Sequence, residues 1–266
     1  MEPASVKGGH MITICFSIQK GGTAKTTSAG ATATGLHARG KRVLMVDLDP
    51  QSNLSYASGI DLLNLPSTLF DVFSGAAAIQ EAIQPVKVPG LDIVTGGLQL
   101  AAADSQFTQL GRERMLLEAL EDVQDYYDYC IIDTGPALGV LAMNAMTAAD
   151  YVVIPLTADA LALQGVTQLA DFIGNVRRYC NSDLQIAGIL ITIYNKRTRL
   201  SQALEDSIDK AAEEMGSKVF SSRIRRSQAI QDAIAVRTDI YEQAPKATAT
   251  ADYSAFIDEL LETIEG

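Results

Sequence analysis

The run Ile14-Cys15-Phe16-Ser17-Ile18-Gln19-Lys20-Gly21-Gly22-Thr23-Ala24-Lys25-Thr26-Thr27 decides how this chain folds. It is an apolar stretch, then a turn of small residues, then Lys-Thr-Thr entering helix-forming sequence. A turn with little side-chain bulk lets several backbone N–H groups converge on one anion, and the positive end of the following helix adds to the field there. The pattern predicts a phosphate loop made by Lys20, Gly21, Gly22, Thr23, Ala24, Lys25, Thr26 and Thr27. Lys25 reaches the β- and γ-phosphates of a nucleotide, and the Thr26 hydroxyl faces Mg²⁺.

Working outward, residues 11–18 are mostly apolar with little alternation, as in a parallel strand buried on both faces. A helix from Lys25 to Ala38, closed by Gly40, and a second strand from Arg42 to Asp47 complete a strand-loop-helix-strand unit. Further strands are expected at Leu91–Val94, Tyr129–Asp133, Tyr151–Leu156, Ile186–Ile193 and Lys218–Phe220. The helices between them are expected at Leu110–Glu121, Leu141–Ala148, Leu161–Tyr179 and Ser201–Met215, with a closing helix after Thr250. Such alternation indicates an α/β fold, a doubly wound and mostly parallel sheet with helices on both faces. Arg223, Arg225 and Arg226 read as an arginine-rich turn.

Ligands of open α/β sheets sit beyond the carboxyl ends of the strands, where this chain places aspartates. Asp133 ends an apolar strand and precedes Thr134-Gly135-Pro136, the Walker B pattern of a carboxylate that holds Mg²⁺ directly or through water. Asp47 and Asp49 flank Leu48, so period-two geometry points both to one side. One would face a metal-bound water and the other an attacking water.

The chain has 266 residues, 47% of them hydrophobic and 20% charged, enough for one large domain with a substantial core. Residues 1–10 read as an expression remnant and 11–266 as the domain. No apolar run approaches the roughly 20 residues that a membrane span requires. Cys15, Cys130 and Cys180 lack metal-ligand spacing and read as small buried hydrophobes in a reducing cytosol. The net charge of −11 disfavours a general affinity for nucleic acid, but the cations are concentrated: positions 177–246 hold 12 Lys and Arg against 9 Asp and Glu. A local anion-binding face therefore stays possible.

The pair Lys20 and Lys25 around Gly21-Gly22 resembles the deviant Walker A loop K-G-G-x-x-K-[ST]-[ST] of the ParA/MinD family of ATPases. Asp47-Leu48-Asp49-Pro50-Gln51 is similar to that family's second signature. Asp133-Thr134-Gly135-Pro136 with Asn144, Ile154-Pro155-Leu156, and the Arg-Thr loop within 193–200 resemble further family segments. The resemblance covers nearly all of residues 11–245 and is closest to Soj-like chromosome and plasmid partition proteins. It implies a slow ATPase with ATP and Mg²⁺ as cofactors. Lys20, Lys25 and Asp49 then carry catalysis, with Asp49 orienting the hydrolytic water. Thr26, Asp133 and Asp47 attend the metal, and Pro155 lies beside the nucleotide. It further implies a homodimer that sandwiches ATP, with Lys20 reaching the partner's phosphates, non-specific DNA binding on a cytoplasmic nucleoid, and activation by a ParB-like protein.

Lys196-Arg197-Thr198-Arg199 and Arg223–Arg226 are the densest basic segments, and Arg197, Arg199, Arg225 and Arg226 are the candidate DNA contacts. Arg197 aligns with a DNA-contacting arginine of the family, whereas a second falls on Ala229. Ala24 is a further departure, because a methyl there crowds the phosphates. Two other readings stay open: a nucleotide-gated module that no longer hydrolyses, and a MinD-like positioning ATPase. The acidic tail Phe256–Glu262 argues against the membrane docking of the latter, since anionic lipid repels it.

Overall fold

The structure, a computed structural model, describes residues 10–87, 90–159, 162–195 and 199–265. Its strands are β1 (Ile12–Phe16), β2 (Val43–Leu48), β3 (Ile83–Pro85), β4 (Leu91–Val94), β5 (Tyr129–Thr134), β6 (Tyr151–Thr157), β7 (Gln185–Tyr194) and β8 (Val219–Arg225). They form one sheet in the order β3-β4-β2-β5-β1-β6-β7-β8. Among the described strands only β3 runs antiparallel to its neighbour. From the central β1 and β5 the chain winds outward one way through β2 and β4 and the other way through β6, β7 and β8. The carboxyl ends of β1 and β5 therefore border the crevice where strand order reverses, the place such sheets offer a ligand.

Alternate side chains of each central strand serve different cores. Ile14 and Phe16 of β1 join Ala29, Leu36, Tyr253 and Phe256 beneath the helices Lys25–Ala38 and Thr248–Glu265. Cys15, between them, faces the other way. It joins the cluster of Leu116, Ala145, Val166 and Ile208, from the helices Met115–Glu121, Val140–Ala148, Ala162–Tyr179 and Arg199–Glu214. Burial on both faces is why these strands read as apolar runs, and each fully buried Ile, Leu or Phe contributes about 1.5–3 kcal/mol. Cys15 and Cys130 are buried and unbridged, as their apolar surroundings imply, whereas Cys180, expected to be buried as well, is only half-buried just past the helix Ala162–Tyr179.

Two of the expected elements need correction. The helix expected from Leu110 begins only at Met115, because Leu110 points into solvent and Gly111, at φ 83°, turns the chain. The arginine-rich turn is strand: β8 runs through Arg223 to Arg225, with Arg226 just beyond it. Its residues alternate because β8 is an edge strand, with Phe220 and Ile224 inward and Ser221 and Arg225 outward. Pro155 lies inside β6, within the strand expected at Tyr151–Leu156, and is opposite Leu190. Val153 accepts from the Ser17 N–H on the β1 side, and two residues on the Pro155 nitrogen faces that same side beyond the last residue of β1, so no ladder bond is lost. The short strand β3 and the helices Gln228–Ala235 and Ile240–Gln243 were not anticipated.

Candidate nucleotide site

The loop after β1 turns through Gly22, at φ 76°, and Ala24, at φ 56° and ψ 29°. Both are left-handed. That suits glycine, whereas the Cβ of alanine costs roughly 1–2 kcal/mol there. Ala24 caps the helix Lys25–Ala38, its carbonyl accepting from the Ser28 N–H at 2.8 Å. The helix thus starts immediately under the loop, and Lys25 to Thr27 form its first turn. Lys25 is 8% exposed; its ammonium donates to the Thr134 carbonyl and lies 3.7 Å from Asp133 Oδ1.

Register brings the aspartates together. Asp133 is the neighbour of Phe16 in β1 on one side and of Asp47 in β2 on the other. Asp133 is fully buried, and neither carboxylate oxygen accepts a hydrogen bond. Burial pushes its carboxyl above the usual range, the Lys25 ammonium and Thr26 hydroxyl pull it down, and Asp49 adds repulsion. Asp47, also fully buried, is engaged: Oδ2 accepts from the Ser55 N–H and the Ser55 hydroxyl, each at 2.8 Å, and Oδ1 from the Asp49 N–H at 3.3 Å. Burial raises its carboxyl as well, and Asp133 adds to the effect.

Asp49 sits just past β2, mostly buried, with Oδ1 accepting from the Gln51 N–H at 2.9 Å. A Cβ on Gly135 would lie 3.7 Å from that oxygen, so Asp49 rests against the loop leaving β5. Gly96, after β4, is where the turn carrying Asp47 and Asp49 is approached most closely. A Cβ there would come within 2.5 Å of the Asp47 carbonyl.

A buried carboxylate with two unpartnered oxygens, beside a hydroxyl and an ammonium, is costly unless a cation completes it. The hard oxygen donors of Asp133 and Thr26 suit Mg²⁺ shared with a phosphate. The residues present fit that group, and Lys25 and the loop N–H groups fit the anion.

Lys20 stands apart from Lys25. Its ammonium pairs with Asp159, just past β6, whose Oδ2 also accepts from the Thr157 hydroxyl at 2.7 Å. Of the candidate DNA contacts, Arg197 lies outside the described residues, and Arg199 opens the helix Arg199–Glu214 with its side chain likewise outside them. Arg225 is held in a fork by Asp252 of the C-terminal helix, Nε at 2.9 Å and Nη2 at 2.5 Å. Arg226 is exposed. Sequence reasoning missed Ser55, Asp159, Thr192 and Asp252, polar residues with no motif around them. Only the fold reveals what they hold.

A family model described as an AAA domain matches residues 11–186. The chromosome partitioning protein ParA of Caulobacter vibrioides (strain NA1000 / CB15N) is 38% identical over 223 residues, covering 83% of this chain and 82% of that protein. The sporulation initiation inhibitor protein Soj of Bacillus subtilis (strain 168) is 36% identical over 221 residues, 83% of this chain and 86% of its own. Among solved structures, a Mycobacterium smegmatis protein described as cobyrinic acid a,c-diamide synthase, with bound ADP and magnesium, superposes at a TM-score of 0.84 with 31% identity over 96% of both chains. A deviant phosphate loop under a buried aspartate, on this sheet and among these relatives, places the chain in the ParA/Soj group of the ParA/MinD family of P-loop ATPases.

Proposed function

We propose that this protein is a DNA-partition ATPase whose ATP-bound homodimer holds DNA without sequence preference and lets go on hydrolysis. The observation that carries the reading is Asp133, buried with neither oxygen accepting a hydrogen bond and the Lys25 ammonium 3.7 Å from Oδ1. ATP with Mg²⁺ satisfies all of these groups at once. Thr26 and Asp133 would hold Mg²⁺, which would neutralise phosphate charge. Lys25 leaves the Thr134 carbonyl for the β- and γ-phosphates of its own subunit, and Asp49 orients the attacking water. Phosphoryl transfer needs mainly positioning and charge neutralisation, so this set is sufficient for slow turnover.

Lys20 exchanges Asp159 for the phosphates of the partner subunit, which makes nucleotide binding and dimerisation one linked equilibrium. Arg197, Arg199 and Arg226, duplicated by the dimer, neutralise about 4–6 phosphates, for a log-log salt slope near −4 to −5. One copy binds weakly. A ParB-like protein with a basic segment complements the acidic remainder of the surface and stimulates hydrolysis on the nucleoid.

Because the M. smegmatis protein bears the name of a synthase, the decisive experiment is one on DNA. Binding to duplexes of unrelated sequence is measured with ATP, with ADP and without nucleotide. Tight binding with ATP alone, equal across sequences, is expected; equal binding in all three states refutes the switch.

A further inference from the structure

Thr192, near the end of β7, is buried, and its hydroxyl donates to the Thr23 carbonyl at 2.9 Å across 169 residues of sequence. Thr23 is itself buried within the phosphate loop. In a loop whose N–H groups face an anion, the carbonyls face outward, and an outward carbonyl shut away from water needs a donor of its own. The Thr192 hydroxyl is that donor.

The bond does more than satisfy an oxygen. A peptide unit is planar and trans, so its C=O and N–H point in opposite directions. Fixing the Thr23 carbonyl outward therefore aims the Ala24 N–H inward. Ala24 is also the one non-glycine residue of the loop at positive φ, 56°, without the freedom of glycine. An external tether holds in place what the local sequence disfavours. The end of β7 is bent around the same point. Ile193, the next residue, lies at φ 52°, rare for a β-branched side chain, and the register against β8 shifts between Ile191 and Tyr194.

We infer that Thr192 is a positioning residue of the phosphate loop, holding the Thr23–Ala24 peptide so that its N–H faces the phosphates of a bound nucleoside polyphosphate. This rests on reading residues 20–27 as a phosphate loop. It adds that Thr192, four residues before the basic Lys196–Arg199 run in sequence, physically ties the end of β7 to the nucleotide's cradle.

The test is titration calorimetry of the full chain with Mg-ADP, comparing wild type, Thr192→Val and Thr192→Ser, with thermal melts of each. Valine keeps the branched shape but cannot donate, and serine restores the donor. Thr192→Val binds roughly five- to tenfold more weakly, Thr192→Ser stays within about twofold of wild type, and the ADP-induced rise in melting temperature shrinks only in the valine variant. Equal affinity in wild type and Thr192→Val overturns the inference, as does a serine variant as weak as valine. A purely structural role lowers the nucleotide-free melting temperature and leaves affinity unchanged, which also overturns it. A wild type that binds no ADP or ATP overturns the phosphate loop itself, a result distinct from the others.

Discussion

Asp47 and Asp133 face each other Cα to Cα at the carboxyl ends of β2 and β5, yet one carboxylate is held by three hydrogen bonds and the other accepts none, with only the Lys25 ammonium 3.7 Å from its Oδ1. Asp47 ties down Ser55 and so fixes the turn that carries Asp49. Asp133 is the carboxylate proposed to take the cation. The two should separate experimentally. Ser55→Ala lowers unfolding free energy by about 1.5–3 kcal/mol, because it removes a hydrogen bond to a buried carboxylate. Asp133→Asn abolishes the Mg²⁺ dependence of nucleotide binding. Urea unfolding and calorimetry with and without Mg²⁺ read the two effects, and a Mg²⁺ dependence that survives in Asp133→Asn contradicts the assignment.

Lys20 is occupied by Asp159 in the single chain. For the ammonium to serve a second subunit it must leave that carboxylate. Asp159→Asn therefore moves ATP-dependent dimerisation to lower protein concentration, and Lys20→Ala prevents it while leaving nucleotide binding by the monomer intact. Sedimentation over a concentration series with ATP measures both. Dimerisation of Lys20→Ala equal to wild type removes the crossing lysine from the account.

Arg225 is the candidate DNA contact that the structure finds already engaged, in the fork of Asp252. Its charge is locally cancelled, so Arg225→Ala changes DNA affinity little. Asp252→Asn releases the guanidinium in each subunit of the dimer and steepens the salt slope by about 1.8. Arg226→Ala weakens binding to all sequences alike, as expected of a phosphate contact. Fluorescence anisotropy across a salt series distinguishes these cases; a loss with Arg226→Ala confined to particular sequences would show base readout instead.

Glu259 closes β8 from the C-terminal helix. It accepts from the Ser221 N–H at 2.7 Å and the Ser222 N–H at 2.9 Å. Partial burial works to raise its carboxyl, but these backbone donors outweigh it and hold the group below its ordinary 4.5. A depressed carboxylate stabilises the fold above its unfolded value and loses that contribution as pH falls through the folded one. Glu259→Gln should thus melt below wild type above about pH 5, with the gap closing toward about pH 3. A gap independent of pH would mean that shape, not charge, holds this edge.

Much of this was legible before the structure, for a physical reason. β1, β2, β5, β6 and the body of β7 are buried on both faces and so are written as apolar runs, with the loop and strand-end aspartates at their tips. The edges of the sheet were legible only in part: β8 is expected over Lys218–Phe220 and runs on to Arg225, and β3 carries no signal. β8 mixes Ser and Arg with two inward apolar residues, and its arginines looked like a turn. The supports of the site were not legible. Ser55 beside Asp47, Asp159 beside Lys20, Thr192 beside Thr23 and Asp252 beside Arg225 meet only because the sheet and its helices bring them together. A hydroxyl or carboxylate carries no sequence signal of its own until its partner is known.

The account stands on a nucleotide entering beneath Lys25 with magnesium at Asp133. Its most direct measurement is calorimetric titration of the wild-type chain with ATP, with Mg²⁺ present and then chelated. Saturable binding that weakens at least about tenfold without Mg²⁺ is the predicted result. No binding under either condition, or binding indifferent to the metal, would contradict it.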